Sequence, residues 1–428
     1  MYKYSEVNTV HLEITDLCNA RCPQCPRNIM GGADNPYLKG SQLYLDDIKK
    51  ILKPEFIKQL RHLYMCGNFG DPGVARDTRE IFQHLRDTNP TMSLSMHTNG
   101  SMQTQEWWSS LPKILGKNHH IVFSIDGLED TNHIYRQGTN WKKIIENVKS
   151  FIDAGGNAKW HYIVFKHNEH QVEKAAKLAK EMKFVEFLIK KTGRFYNQFS
   201  IDSYRGVQAV DIKGNNTNLI EMPENSKYQN EMIFKILNDN NVKIREVNKK
   251  ISGLKNEQYE KYWIKQKITN KFFGYESYNL DFDKKNSIEK NLDKVEIKCK
   301  VLSERNIFIS SEGYVIPCCW IGIDMYSPYR AFKGSQVWDA INEVGLENLD
   351  AKKNDLQSII NGKFFQETMP NRWKQKSCAE GKLAVCARTC GLNRNVYGAV
   401  DRERDVTFSG QSKTLRTDLT DEERFFKK

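Results

Sequence analysis

Long apolar runs are missing from this 428-residue chain: nothing in it approaches the roughly 18 to 20 consecutive apolar residues that cross a bilayer. The opening stretch MYKYSEVNTVHLEITD also lacks the apolar core of a secretory signal, so no membrane partner and a cytoplasmic location are expected. Proline is scarce, at 11 residues, and there is no internal repeat or low-complexity tract, which removes collagen-like and fibrous architectures. Ten cysteines are too thinly spread for a disulfide scaffold; in a chain without an export signal they point to metal ligation or redox chemistry. Acidic residues are outnumbered, 53 against 65 Lys and Arg, for a formal charge of +12. That balance can attract phosphates or acidic peptides and leaves nucleic acid as a partner not excluded, but a solvated basic surface is the simpler account, and no RNA-binding module is recognisable. What is present is 39% hydrophobic residues, enough for a sizeable core in roughly two or three domains.

From Val10 to about Lys190, short β-rich runs alternate with helix-like stretches, the pattern of parallel strands joined by crossover helices. Six strands are expected: VHLEIT (10–15), HLYMC (62–66), LSMH (94–97), IVFSI (121–125), WHYIVF (160–165) and VEFLIK (185–190). Helices are expected in LDDIKKIL, ARDTREIFQHLRDT, NWKKIIENVKSFIDAGG, which Gly155 stops, and EHQVEKAAKLAKEM. The fold class is therefore α/β, a partial TIM barrel of six parallel β/α units over 8–195, with its chemistry on the loops that follow the strands. A polar, Asn- and Lys-rich linker or elaboration fills 196–298, with helices expected around Tyr228–Leu237 and between Lys255 and Phe273. A small α+β cysteine-rich domain spans 299–391, and 392–428 is a charged C-terminal tail, expected to be partly disordered.

In DLCNARCPQCPRN the cysteines Cys18, Cys22 and Cys25 are spaced C-x3-C-x2-C directly after a strand, so three thiolates converge from one tight loop. A four-iron cubane needs four ligands, and three cysteines leave one iron open. A structural zinc loop is the competing reading, and it needs a fourth N or S ligand from elsewhere. After the second strand stands Phe69-Gly70-Asp71-Pro72; at the third strand end, Thr98-Asn99-Gly100; at the fourth, Ser124-Ile125-Asp126-Gly127, with Arg136 twelve residues beyond Ser124. In this order the motifs resemble the radical S-adenosylmethionine (radical SAM) superfamily. The resemblance implies a 4Fe-4S cluster whose open iron binds SAM, and reductive cleavage to a 5′-deoxyadenosyl radical. It also implies SAM contacts from Gly70, Asp71, Asn99, Ser124, Asp126 and Arg136, and from the backbone of Gln24, which stands where an aromatic residue is usual. Asp71 stands where the superfamily has Glu, with a shorter reach to the SAM amino group.

The remaining cysteines are Cys66, alone, and Cys299, Cys318, Cys319, Cys378, Cys386 and Cys390 in the last third. ERNIFISSEGYVIPCCW reads as two short strands around a turn at Glu312-Gly313, a hairpin that brings Cys299 towards Cys318. This segment, with the closing Cys386-x3-Cys390, resembles the SPASM and twitch extensions of radical SAM enzymes, which hold auxiliary iron-sulfur clusters. Six cysteines, and none after Cys390, fit one auxiliary cluster rather than two. The expected ligands are Cys299, Cys318, Cys378 and Cys390, with Cys386 competing for either of the last two places. A zinc knuckle on the same thiolates is the alternative.

Cys319 directly follows an expected ligand and is a candidate hydrogen-atom donor to a substrate radical, against the plainer reading of a buried or spare thiol. Cys66, His97, His161 and His167 lie at or near strand ends with no motif around them, and core or surface packing is the simpler account of each, as it is of Trp320 and Trp373. The expected function is hydrogen abstraction from a peptide or protein substrate (maturation, oxidation or epimerisation), with electrons from a flavodoxin or ferredoxin. Small-molecule dehydrogenation or cofactor building, RNA modification, and a non-enzymatic iron-sulfur electron carrier are the alternatives; the last has no need of an open iron site.

Overall fold

The computed structural model describes residues 1–195, 206–230, 292–327, 336–392 and the backbone of 406–407. The six expected strands form as β1 (Thr9–Leu12), β2 (His62–Met65), β3 (Ser93–Thr98), β4 (His119–Ser124), β5 (Ala158–Ile163) and β6 (Glu186–Lys190). Each is parallel to the next, in sequence order. Between them run α1 (Leu45–Ile51), α2 (Pro54–Gln59), α3 (Thr78–Thr88), α4 (Gln105–Leu115), α5 (Asn132–Tyr135), α6 (Trp141–Asp153) and α7 (Val172–Glu181). The result is a mostly parallel α/β sheet.

Strand periodicity sorts the side chains onto two unlike faces. Val10, Leu12, Leu63, Met65, Leu94, Met96, Ile121, Phe123, Trp160 and Phe187 alternate onto the face that the helices cover, and each is wholly buried. Phe123 lies at the centre of that layer, against Trp108 of α4, Phe151 of α6 and Phe184. Truncating it to Ala would cost about 3–5 kcal/mol. Helix ends are set locally: the Thr104 hydroxyl accepts from Trp107 N at 3.2 Å to start α4, and Asn140 Oδ1 accepts from Lys143 N at 2.9 Å to start α6. Gly155, at φ +90°, ends the turn after α6, while Gly156 N returns to the Phe151 carbonyl at 2.9 Å. The sequence pattern left out α2, α4 and the one-turn α5; Pro112 inside α4 interrupts the usual helix signal, yet the helix tolerates it because its amphipathic face is buried.

The later segments build onto this sheet. β7 (Val207–Val210) and β8 (Asn216–Ile220) form a separate antiparallel hairpin. After α8 (Lys300–Glu304), the expected hairpin appears as β9 (Asn306–Ile309) and β10 (Val315–Ile316), with Gly313 at φ +96° in its turn. β9 pairs in parallel with β1, so the hairpin extends the main sheet. Then come α9 (Cys319–Met325), α10 (Gln336–Asn342), α11 (Leu356–Asn361), α12 (Met369–Lys374) and α13 (Ala384–Cys390). From the charged tail, β11 (Val406–Thr407) adds antiparallel to β6, giving the order β10-β9-β1-β2-β3-β4-β5-β6-β11. Around Tyr228 the chain makes a single 3-10 turn, Ser226–Tyr228. The remainder of that expected helix, the helices expected between Lys255 and Phe273, and the rest of the tail lie outside the described residues. Among the described residues no helix is long and apolar enough to cross a membrane.

Candidate functional site

The loops that follow β1 to β4 bring the N-terminal motifs together. The loop bearing Cys18, Cys22 and Cys25 is pinned at several points: Asp71 N donates to Leu17 O, Arg21 N to Gln137 O, and Cys25 N to Cys22 O, all within 2.9 Å. The sulfurs already face donors. Cys18 Sγ accepts from Ala20 N at 3.3 Å and from Asn99 Nδ2 at 3.8 Å, and Cys22 Sγ accepts from Arg136 Nη1 at 3.6 Å. Cys25 Sγ lies 3.9 Å from the Asn68 carbonyl. Burial, reinforced by Asp71, pushes the Cys18 thiol up; burial also raises Cys22, offset by Arg136. Thiols so placed ionise when a metal supplies the compensating charge, and N–H donors at their sulfurs suit a cluster-bound thiolate. Among the described residues no three His, Cys, Asp or Glu side chains converge as on a single metal ion.

Asp71 is buried, and its carboxylate accepts from four donors: Gly73 N at 2.8 Å, Thr98 Oγ1 at 2.9 Å, Asn99 N at 2.7 Å and Asn99 Nδ2 at 2.8 Å. It thereby ties the loop after β2 to the end of β3 and aims Asn99 at Cys18. Gly70 is required by close approach, since a Cβ there would lie 1.9 Å from the Thr15 carbonyl oxygen. Farther along, Arg136 Nε donates to Asp126 Oδ2 at 2.6 Å, while Asp126 Oδ1 accepts from Ile163 N at 2.7 Å. Burial works against the Arg136 charge, but Asp126 and Cys22 hold its pKa above the ordinary value. Removing either partner of so buried a pair costs about 3–5 kcal/mol. Ser124 closes β4, half-buried, and the carbonyl of buried Gln24 accepts from Arg194 Nη1 at 3.0 Å.

Three features of this site were not singled out in the sequence. Glu13, buried at the end of β1, has an Oε1 that accepts from Phe69 N at 2.7 Å and Gly70 N at 3.3 Å, and burial raises its pKa to about 8. A charged residue in an otherwise apolar strand was the available signal. Arg194 offered none, because its contact is fixed by the return of the chain after β6. The β7–β8 hairpin covers the cysteine loop: Val210 N donates to Met30 O at 2.9 Å, and Val207, Ala209 and Ile220 pack with Cys22, Tyr135 and Phe165.

In the second cysteine group, Cys299, Cys318, Cys386 and Cys390 lie within electrostatic reach of one another. Cys299 hydrogen-bonds Cys390 and lies within electrostatic reach of Cys386 and Cys318. Burial raises Cys318 to about 12 and raises Cys386, whereas the hydrogen bond from Cys299 lowers Cys390 to about 6. Cys386 and Cys390 share one face of α13 at i, i+4. Cys378 packs with Leu292, Val295 and Ala387, its N–H donating to Asp293 Oδ1 at 2.6 Å. Cys319, at the start of α9, is half-buried beside Cys318, Cys66 and Glu13, and its carbonyl accepts from Asn68 Nδ2 at 3.0 Å. His97 and His161 face each other across the sheet with ring centroids 5.6 Å apart, whereas His167 stacks on Phe165 at 5.4 Å.

The Radical SAM superfamily model matches residues 12–179. The GTP 3',8-cyclases of Staphylococcus aureus strains JH9 and Newman are 24% identical over 190 residues, covering 42% of this chain and 54% of theirs. The chain thus spans about half the length of the curated relatives it matches. Among solved structures, Streptococcus suis SuiB bound to S-adenosylmethionine is similar at 13% identity and TM-score 0.45, over 89% of this chain and 77% of that one. Native anSMEcpe with bound AdoMet is similar at 13% identity and TM-score 0.44, over 90% and 88%. Residues 12–179 are thus similar to the Radical SAM superfamily, whose members work with a 4Fe-4S cluster and S-adenosylmethionine.

Proposed function

We propose that the protein is a radical SAM enzyme that abstracts hydrogen from a peptide or protein, with an auxiliary four-iron cluster beside the substrate. The observation that carries this reading is the meeting of Cys18, Cys22 and Cys25 with the Asp71–Asn99 and Asp126–Arg136 pairs at the C-terminal ends of four adjacent parallel strands. Cys18, Cys22 and Cys25 hold the N-terminal cluster, which with SAM supplies one-electron cleavage of the sulfonium and the hydrogen abstraction that follows. Asn99 and Arg136 donate to the Cys18 and Cys22 sulfurs that would hold the cluster, while Gly70, Asp71, Ser124, Asp126 and the Gln24 backbone would shape the bed for SAM. The auxiliary cluster rests on Cys299, Cys318, Cys386 and Cys390, the four thiols that lie within reach of one another. Cys319 is the candidate hydrogen donor, and a flavodoxin or ferredoxin is the electron source. Peptide modification follows from the likeness of the second cysteine group to SPASM and twitch extensions. A small-molecule substrate is the second reading, favoured by the match to GTP 3',8-cyclases.

Anaerobic reconstitution tests the proposal. The chain should bind about eight irons, release 5′-deoxyadenosine from SAM under dithionite, and lose half its iron when Cys18, Cys22 and Cys25 are all changed to Ala. Full iron retention in that triple variant, or activity of a zinc-only preparation, would overturn it.

A further inference from the structure

The inner face of the parallel sheet is mostly polar, Val122, Ile163 and Leu188 apart, in contrast to its helix-covered face. Along it alternate His11 and Glu13 of β1, His62 and Tyr64 of β2, Ser95 and His97 of β3, His120 of β4, Lys159 and His161 of β5, and Glu186 and Lys190 of β6. His97, Lys159, Glu186 and Lys190 are only half-buried, whereas their neighbours on the other face are sealed. Register places the cationic groups together. Lys159 is opposite Glu186, His161 opposite Leu188, and Ile163 opposite Lys190, so Lys159, His161 and Lys190 share one patch.

His161 is the informative residue. It is 5% exposed, and neither ring nitrogen has a hydrogen-bond partner. The Glu186 carboxylate stands 4.0 Å from its Nε2, beyond hydrogen-bond reach, and is engaged by Lys159 Nζ at 3.4 Å. Buried imidazole nitrogens rarely go unsatisfied, and each orphan asks for a partner supplied by something else. Burial and the Lys190 charge keep His161 and His97 neutral, able to donate from one ring nitrogen each. Lys190 lies within electrostatic reach of His97, His161 and Cys66, at the end of the sheet that carries the N-terminal cysteine loop.

We propose that this patch receives an anionic group of the substrate, a carboxylate or a phosphate, held by the Lys190 ammonium and by the rings of His161 and His97. The inference rests on the proposed function in placing the substrate on the inner face, and it narrows the substrate to an acid or phosphate ester.

Equilibrium dialysis of the reconstituted, SAM-loaded full chain tests it, with succinate as the carboxylate probe in one arm and inorganic phosphate in the other. One arm should show saturable binding of one anion per chain, and that arm identifies the group. Lys190→Gln and His161→Gln should each weaken it at least tenfold, the loss of a charged or buried hydrogen bond, and Lys190→Arg should retain it. Iron content and SAM affinity should stay within about twofold in all three, which shows that they fold. No saturable binding in either arm, or binding equal in wild type and both weakened variants, would overturn the proposal as an adventitious ion only. Loss of SAM together with the anion would overturn it as well. Failure of the proposed function shows separately, as absence of 5′-deoxyadenosine from wild-type protein.

Discussion

Asp71 offers the sharpest test of how the site is held. Its carboxylate accepts from Gly73 N, Thr98 Oγ1, Asn99 N and Asn99 Nδ2 at 2.7 to 2.9 Å, with 4% of the residue exposed. Asp71→Ala leaves those donors without an acceptor in a sealed site. At about 1–3 kcal/mol for each donor left unsatisfied, and with partial relaxation towards water, the expected loss is about 3–5 kcal/mol. Asp71→Asn keeps the volume but turns an NH2 towards donors, for about 2–3 kcal/mol. Asp71→Glu restores the acid usual in the superfamily yet adds a methylene to a filled site, for about 1–3 kcal/mol. Urea unfolding of the apo chain, followed by tryptophan fluorescence, reads these differences, and SAM affinity of the reconstituted chain should fall in the same order. An Ala variant within about 1 kcal/mol of wild type, with SAM affinity intact, refutes the reasoning. Stability kept while SAM affinity is lost would instead assign Asp71 to direct contact with SAM rather than to holding the loop.

The cysteines of the last third separate in a single series: Cys386→Ala should lower iron content by about half, and Cys378→Ala should leave it unchanged. In the same series Cys319→Ala should keep both iron and SAM cleavage but lose the solvent deuterium that wild type places on its product; iron loss in Cys319→Ala would mean that it, and not Cys318, is the ligand. Stability should fall on acidification. Burial lowers His11 to about 4, His97 to about 3 and His161 further, so below 6.5 the unfolded chain takes up protons that the folded chain refuses. Glu13 acts with the opposite sign: its contribution is full below 4.5 and gone above about 8. His84, His119 and His167 are lowered too, and Asp16, Asp71 and Asp126 are raised with Glu13. Six imidazoles outnumber four carboxyls, so the unfolding free energy should drop between pH 6.5 and about 4, and His97→Gln should flatten that slope by roughly one proton; an unchanged slope contradicts it.

Much of this was legible in the sequence because it is local. All six parallel strands carry a period-two or continuous apolar pattern that no tertiary context had to override, and the C-x3-C-x2-C spacing fixes three thiols on one loop whatever surrounds it. The turn at Gly313 was readable for the same reason, since only glycine takes that φ at little cost. α4 was less readable, because Pro112 breaks the helix signal while burial of Trp108 and Leu111 outweighs it.

What the sequence alone determined, then, is order along the chain: which segments are strands, where the thiols are clustered, and which motifs follow which strand. The tertiary structure decided which distant groups meet. Cys386 and Cys390 come within reach of Cys299 because they share one i, i+4 face of α13, and nothing in the spacing of the cysteines encodes that rotation. Glu13 reaches the Asn68–Gly70 loop, and His161 faces His97 across β4, only because parallel pairing fixes the register of strands tens of residues apart. The physical reason is that pattern and propensity act within a few residues, whereas register and helix rotation are set by packing of the whole sheet against its helices.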